Sequence, residues 1–413
     1  MTKATSDTYG SKTASRSVLS LVLLLTLSIA PAHSHDPSAW GGVFRSRDQG
    51  ATWVSANRGQ FLSGAIALAI SPADTNHLLL GAESGLFRSR NGGRDWTIEA
   101  PSVVVGSVFA SVFAADGQQA LVSTALGLFR GEAENSWRPA PAPSGAAPAR
   151  VLMRGSQTGR VYLAGETGLY RSDDWGASWS KAGEDLPPGP VTAVLVVQAS
   201  KETLYAVVQG GIWASNDGAR SWTGRRSGLS AAGVDALTAD LRHPSRLWAA
   251  SGNSLFGSTD DGANWHRAGQ KLPEPNTTVN GITASEATIV ATTDRGLYRS
   301  IDGGESWTLI ADTLPVHLEA GPLLRDPVDP ATLYAGFALI PYSELWRRAA
   351  NHEGALVQVS VTSLVGGVIF LLLVALMSVI LLQWLARYYR PSARSAPRGR
   401  TAGNRQMKKE TIP

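Results

Sequence analysis

Seven of the thirteen tryptophans of this 413-residue chain stand at Trp53, Trp96, Trp137, Trp179, Trp222, Trp265 and Trp307, with spacings of 43, 41, 42, 43, 43 and 42 residues. A period near 42 restricts the chain to an array of like units, a propeller or a solenoid. The segments leading into the tryptophans choose between the two: GVFRSRDQGATW (42–53), GLFRSRNGGRDW (85–96), GLYRSDDWGASW (168–179), GIWASNDGARSW (211–222), SLFGSTDDGANW (254–265) and GLYRSIDGGESW (296–307). Each runs through a short apolar strand to Ser, turns through Asp and Gly, and reaches the Trp of a second strand. Asp and Ser side chains bond nearby amides, Gly permits positive φ, and Trp buries a large apolar surface beside the hairpin. Two more strand-like runs precede the boxes, at 65–70 with 77–81, 191–197 with 203–208, and 321–324 with 332–336. Four strands per repeat without a helical period predict a propeller blade.

The boxes resemble the Asp-box repeat, Ser-x-Asp-x-Gly-x-x-Trp, of the sialidase-like BNR β-propellers, over residues 41 to about 348. On that resemblance the structural box positions are Ser46, Asp48, Gly50, Trp53, Ser89, Trp96, Ser172, Asp174, Trp179, Ser215, Asp217, Trp222, Ser258, Asp260, Gly262, Trp265, Ser300, Asp302, Gly304 and Trp307. Asn91 and Ala219 depart from the pattern. The segment GLFRGEAENSW (127–137) has lost nearly all of it, so that blade is expected to be the loosest. In repeat regularity the chain is similar to the photosystem II stability/assembly factor-like family. The same box occurs in sialidases and sortilin-type receptors, so the resemblance implies a fold and not a reaction.

The edges of the array set the blade number. Too few residues precede Gly42 for two inner strands, whereas two strands follow Trp307, at 321–324 and 332–336. Joining the two half blades predicts an all-β, seven-bladed propeller with one composite blade, a closure that removes open sheet edges. Ser343–Arg348 (SELWRR) reads as a further third strand or as the lead to a membrane.

At the amino end, Lys3, Lys12 and Arg16 precede an apolar run from Val18 to Ala30 and the small-x-small site Ala30-Pro31-Ala32, the layout of a signal peptide over 1–32, with an uncleaved anchor as the alternative. The propeller then occupies 33–348 and a juxtamembrane linker 349–360. No charged residue lies between Glu353 and Arg387. The aliphatic run from Val361 to Leu382 rises about 33 Å as a helix, which predicts a transmembrane helix over 361–386. The arginine-rich tail 387–413 is then cytoplasmic by the positive-inside rule, with the propeller outside. Thr362/Gly366 and Ser363/Gly367 are small-residue pairs that suit homodimerisation through the span.

Composition narrows the function. With no cysteine, disulfides, thiolate zinc, iron–sulfur clusters and a cysteine nucleophile are excluded. The net charge of +4 divides unevenly. The leader holds three basic residues and Asp7, the tail eight and Glu410, and the remaining 26 Lys/Arg against 31 Asp/Glu leave the exported part near −5. That balance argues against nucleic acid as a partner. The seven histidines are scattered and predict no metal site. His33-Ser34-His35 is a weak copper motif, and no cofactor is expected. Thirty arginines against seven lysines suit a GC-rich bacterial product, which places the propeller in the periplasm beside the inner membrane. The box aspartates recur blade by blade, which suits a turn role better than a single active site. The hairpins are tight and no substrate-enclosing insertion is present. Arg154, Arg242 and Arg325 each close a predicted innermost strand and would share one rim, suited to an anionic ligand or an acidic partner loop. The sequence therefore predicts a non-enzymatic, membrane-anchored binding or assembly factor for a membrane protein complex. The alternative is a glycan-binding protein or glycoside hydrolase of the sialidase-like group.

Overall fold

The computed structural model of the chain describes residues 41–58, 62, 64–198, 201–351 and 361–388, with side chains of the last segment described at 371–385. The expected signal peptide, the His33–His35 motif and most of the basic tail lie outside the described residues. The chain divides into two units, Met1–His352 and Glu353–Pro413.

Among the described residues the first unit contains seven four-stranded antiparallel sheets. Six are built from consecutive strands. The seventh joins Gly42–Ser46 and Val54–Ser55 to Glu319–Arg325 and Leu333–Ala338, with Gly42 opposite Phe337 and Ser46 opposite Leu333. We number this composite sheet blade 1 and the others 2 to 7 in chain order. The innermost strands of neighbouring blades contact one another around a closed ring, including Glu319–Arg325 against Ala65–Ile70 of blade 2. The second strands of blades 2, 3 and 4, Leu78–Ala82, Ala120–Thr124 and Val161–Gly165, are buried at every position. Adjacent blades cover both of their faces, so these strands read as continuous small and apolar runs instead of alternating ones.

Five of the boxes close by the same hydrogen bonds. In the first, Ser46 Oγ donates to Asp48 Oδ1 at 2.8 Å and accepts from Gly50 N at 2.9 Å, while Asp48 takes Thr52 N at 2.9 Å and Thr52 Oγ1 at 2.6 Å. Ser172–Asp174, Ser215–Asp217, Ser258–Asp260 and Ser300–Asp302 repeat this geometry. Asn91 takes the aspartate's place in the second box, accepting from Arg94 N and Asp95 N at 3.0 Å. Hydrogen bonds from Ser178 and Ser172 hold Asp174 down at about 2, and bonds from Ser306 and Ser300 do the same for Asp302. These acids are turn acceptors that stay ionised. Ser215→Ala strands the buried Ala219 N–H and is expected to cost about 1–3 kcal/mol, read as a lower urea midpoint at unchanged m-value.

The arginine that precedes the box serine ties blades together. Arg45 donates from blade 1 to Gly92 O of the next box, Arg171 from blade 4 to Gly218 O at 2.7 Å, and Arg299 from blade 7 to Gln49 O at 2.9 Å, which closes the ring. Indole N–H groups do the reverse, reaching back to the preceding blade: Trp96 to Ala56 O at 2.7 Å, Trp179 to Pro141 O at 2.9 Å and Trp307 to Gln270 O at 3.2 Å.

Two expectations about the strands of the ring are corrected. The blade without a box is not loosest in its outer hairpin. Its third and fourth strands, Gly127–Ala133 and Ser136–Ala140, have seven and five residues, against five and two or three in every other blade. Without the Ser–Asp turn, Glu134-Asn135 forms a two-residue hairpin with Asn135 at φ 57°, and pairing continues to Leu128 opposite Ala140. The second correction concerns Ser343–Arg348, which is not a strand. Tyr342–Ala350 is an α-helix (α1) that buries Leu345 and Trp346 and pairs Glu344 with Arg347 and Arg348. Its apolar and charged residues recur at helical spacing, and blade 1 already has its third strand from the amino end.

In the second unit Val361–Tyr388 is a 28-residue helix (α2). Among the described residues no helix is long and apolar enough to cross a membrane, so the expected transmembrane helix over 361–386 is not supported.

Candidate binding faces

Antiparallel order within each blade gives the ring two distinct faces. On one, which we call the funnel face, the innermost strands begin and the second strands turn into the third. On the other, the box face, the innermost strands end and the boxes turn.

The three arginines expected to form a rim all fall on the box face, in blades 4, 6 and 1, but in different surroundings. Arg154 ends the innermost strand Val151–Arg154, is half-buried, and lines a pocket of about 550 Å³ with Gln157, Gln198 and Trp175. Burial pulls its pKa below the usual range. Arg325 ends Glu319–Arg325 but is bound into the ring: Nε donates to Thr283 Oγ1 at 3.1 Å and Nη1 to Pro330 O. Burial pulls it down to about 10, against the attraction of Asp240. Arg242 does not close a strand. The strand stops at Ala239 because buried Asp240 accepts from Arg242 N at 2.8 Å and His243 N at 3.1 Å, folding the chain into a turn that leaves Arg242 exposed. The shared face is legible in the sequence as strand-end position; the commitment of Arg325 is not.

The funnel face was not singled out by sequence reasoning. A cavity of about 620 Å³ opens among the innermost strands, lined by Ile66, Arg150, Thr192, Asp235, Asn280 and Glu319 together with Asp294 and, from α1, Tyr342 and Ser343. Three carboxylates face one guanidinium. Each carboxylate has a structural bond: Asp235 Oδ2 accepts from Gly252 N at 2.7 Å, Asp294 Oδ1 from Thr278 N at 2.9 Å, and Glu319 Oε1 from Asn280 Nδ2 at 3.3 Å. Burial raises the pKa of Glu319, and nearby Asp294 adds to the rise against the influence of the backbone N–H of Tyr342, the first helical residue of α1. Arg150 lies over the Trp346 ring at 3.8 Å and pairs with Glu166 at 3.3 Å. The hairpin position of Asp294 was a usable signal, but nothing local joins Asp235, Asp294 and Glu319 before the ring closes.

These features define a seven-bladed box-type β-propeller with a polar funnel. No protein-family profile and no curated protein matches the chain. Similar solved structures include YCF48 bound to a D1 peptide (TM-score 0.51, 17% identity, covering 67% of this chain and 93% of that one). YCF48 from Cyanidioschyzon merolae is similar at TM-score 0.51 and 13% identity, over 67% of this chain and 95% of that one. A GH74 xyloglucanase from Xanthomonas campestris is similar at TM-score 0.52 and 18% identity, over 65% of this chain and 50% of that enzyme. At such identities the likeness is one of fold alone.

Proposed function

We propose that this chain is an extracytoplasmic propeller that binds a polypeptide segment of a membrane protein complex during its assembly or maintenance. The carrying observation is the state of the funnel carboxylates: Asp235, Asp294 and Glu319 each already accept a hydrogen bond that fixes the funnel wall. Such a wall suits recognition of a docked segment better than proton transfer. The fold shared with a propeller described as bound to a D1 peptide supports the reading. In the same reading the uncharged stretch between Glu353 and Arg387 tethers the propeller to the inner membrane, with 387–413 in the cytoplasm. Crosslinking of the full chain in native membranes is expected to capture a reproducible protein partner. Loss of that product on Asp235→Lys would place contact at the funnel, whereas loss on Arg154→Glu alone would move it to the box face. No partner beside a folded ring would count against the proposal.

One observation favours a glycosidase instead. Glu319, raised by burial and by neighbouring Asp294, has the character of a general acid beside a second carboxylate. Saturable turnover of aryl glycosides that disappears in Glu319→Gln would establish that reading in place of the first.

A further inference from the structure

We propose that α1 is a lid over the funnel that opens on its own while the ring stays folded. Nine residues are too few for a helix to persist in water without tertiary contacts. The contacts that hold α1 are few and all made by side chains. Leu345 and Trp346 pack on Ile66 and Phe109 near the starts of the innermost strands of blades 2 and 3, and Tyr342 meets the Phe109 ring edge-on at 6.1 Å. Arg150 covers the Trp346 ring, and Pro341 offers no side-chain cap to the helix.

The docking is imperfect in its polar groups. Trp346 Nε1 and Glu83 Oε1 are buried without a hydrogen-bond partner, and Glu83 feels the charge of Arg348. Opening returns the Trp346 N–H to water, which offsets part of the penalty for exposing the apolar surfaces. Among the described residues the backbone hydrogen bonds of 342–351 outside the helix ladder are local, to Pro341 O, Arg347 O and Ala349 O. Displacing α1 therefore breaks no sheet ladder, unlike the opening of any blade strand.

Opening uncovers Ile66 and Phe109 and widens the cavity past Tyr342 and Ser343. The uncovered floor accepts a large apolar side chain from a polypeptide segment, in the place of Leu345 and Trp346. The choice of ligand rests on the protein-binding reading; the opening does not.

Hydrogen exchange on the full chain tests the opening. Amides of 342–350 are expected to exchange at least tenfold faster than those of the innermost strands, and Trp346→Ala is expected to speed them about tenfold more while leaving the strands unchanged. A labelled synthetic peptide of residues 340–351 is expected to bind the Trp346→Ala chain, and the same peptide carrying that substitution is not. Exchange of 342–350 in step with the innermost strands, in wild type and variant alike, would overturn the proposal by making α1 part of the cooperative ring. A lid that opens in a chain without any crosslinked partner would leave the lid standing and count against the protein-binding reading alone.

Discussion

Glu99→Ala is expected to cost about 3–5 kcal/mol, because it leaves a guanidinium buried and unpaired. Arg88 and Glu99 have side chains exposed by 1% and 0%, joined by Nε to Oε1 at 2.8 Å and Nη2 to Oε2 at 3.0 Å. Glu99 Oε2 also accepts from Trp137 Nε1 at 2.6 Å and from Asn135 N at 3.1 Å, both in blade 3. The blade that lost its box is thus fastened to blade 2 by a carboxylate, where the segments ending blades 1, 3 and 6 offer a backbone carbonyl to the indole of the following blade. Glu99→Gln, which keeps the shape and one acceptor, should fall between wild type and alanine. Calorimetry or urea unfolding of the three chains measures this, and equal stability of wild type and Glu99→Ala would refute the fastening role.

The same cluster sets an acid limit. Arg88 Nη1 lies 2.6 Å from His77 Nε2, and burial with the charges of Arg88 and Arg90 pulls His77 from its ordinary 6.5 to about 4. Burial favours protonation of Glu99, but the hydrogen bonds from Arg88 and Trp137 outweigh it and lower its pKa. Both groups have folded values below their unfolded ones, so the unfolded chain binds protons first and stability falls as pH drops. The His77 contribution is complete above about pH 6.5 and lost by about pH 4, on the order of 3 kcal/mol; that of Glu99 is lost as pH falls below the ordinary carboxylate range. Unfolding of His77→Gln should lack the part of the slope between pH 6.5 and 4.

Gly228→Ala is expected to be the second large loss, about 3 kcal/mol or more. Gly228 has φ +87°, and a Cβ there would lie 1.9 Å from Trp265 O and 2.9 Å from Trp265 C. The obstacle is backbone of the next blade, held in place by Trp265 N donating to Ser227 O at 2.8 Å. Neither chain can retreat without opening the seam between blades 5 and 6. A midpoint within 0.5 kcal/mol of wild type in denaturant titration would show that the seam yields.

Much of the ring was legible because a box acts within eight residues. Ser46, Asp48, Gly50 and Trp53 meet through a single turn, so their spacing announces the turn wherever it recurs. The composite blade was equally legible, since counting strands at each end leaves two halves and pairing of Gly42–Ser46 with Leu333–Ala338 joins them. The Arg88–Glu99–Trp137 cluster was not, since its members lie 11 and 38 residues apart and resemble ordinary outer-strand residues. Nor was the commitment of Arg325, whose partner Thr283 comes from another blade.

By itself, then, the sequence determined the repeat, the number of blades and the place where the ring closes, because these follow from local turn chemistry and strand count. Only the tertiary structure decided which arginine is already bound, which carboxylates line the funnel and that SELWRR is a helix over it. Those outcomes depend on side chains that approach only after seven units have closed, across separations as long as the 250 residues between Gln49 and Arg299.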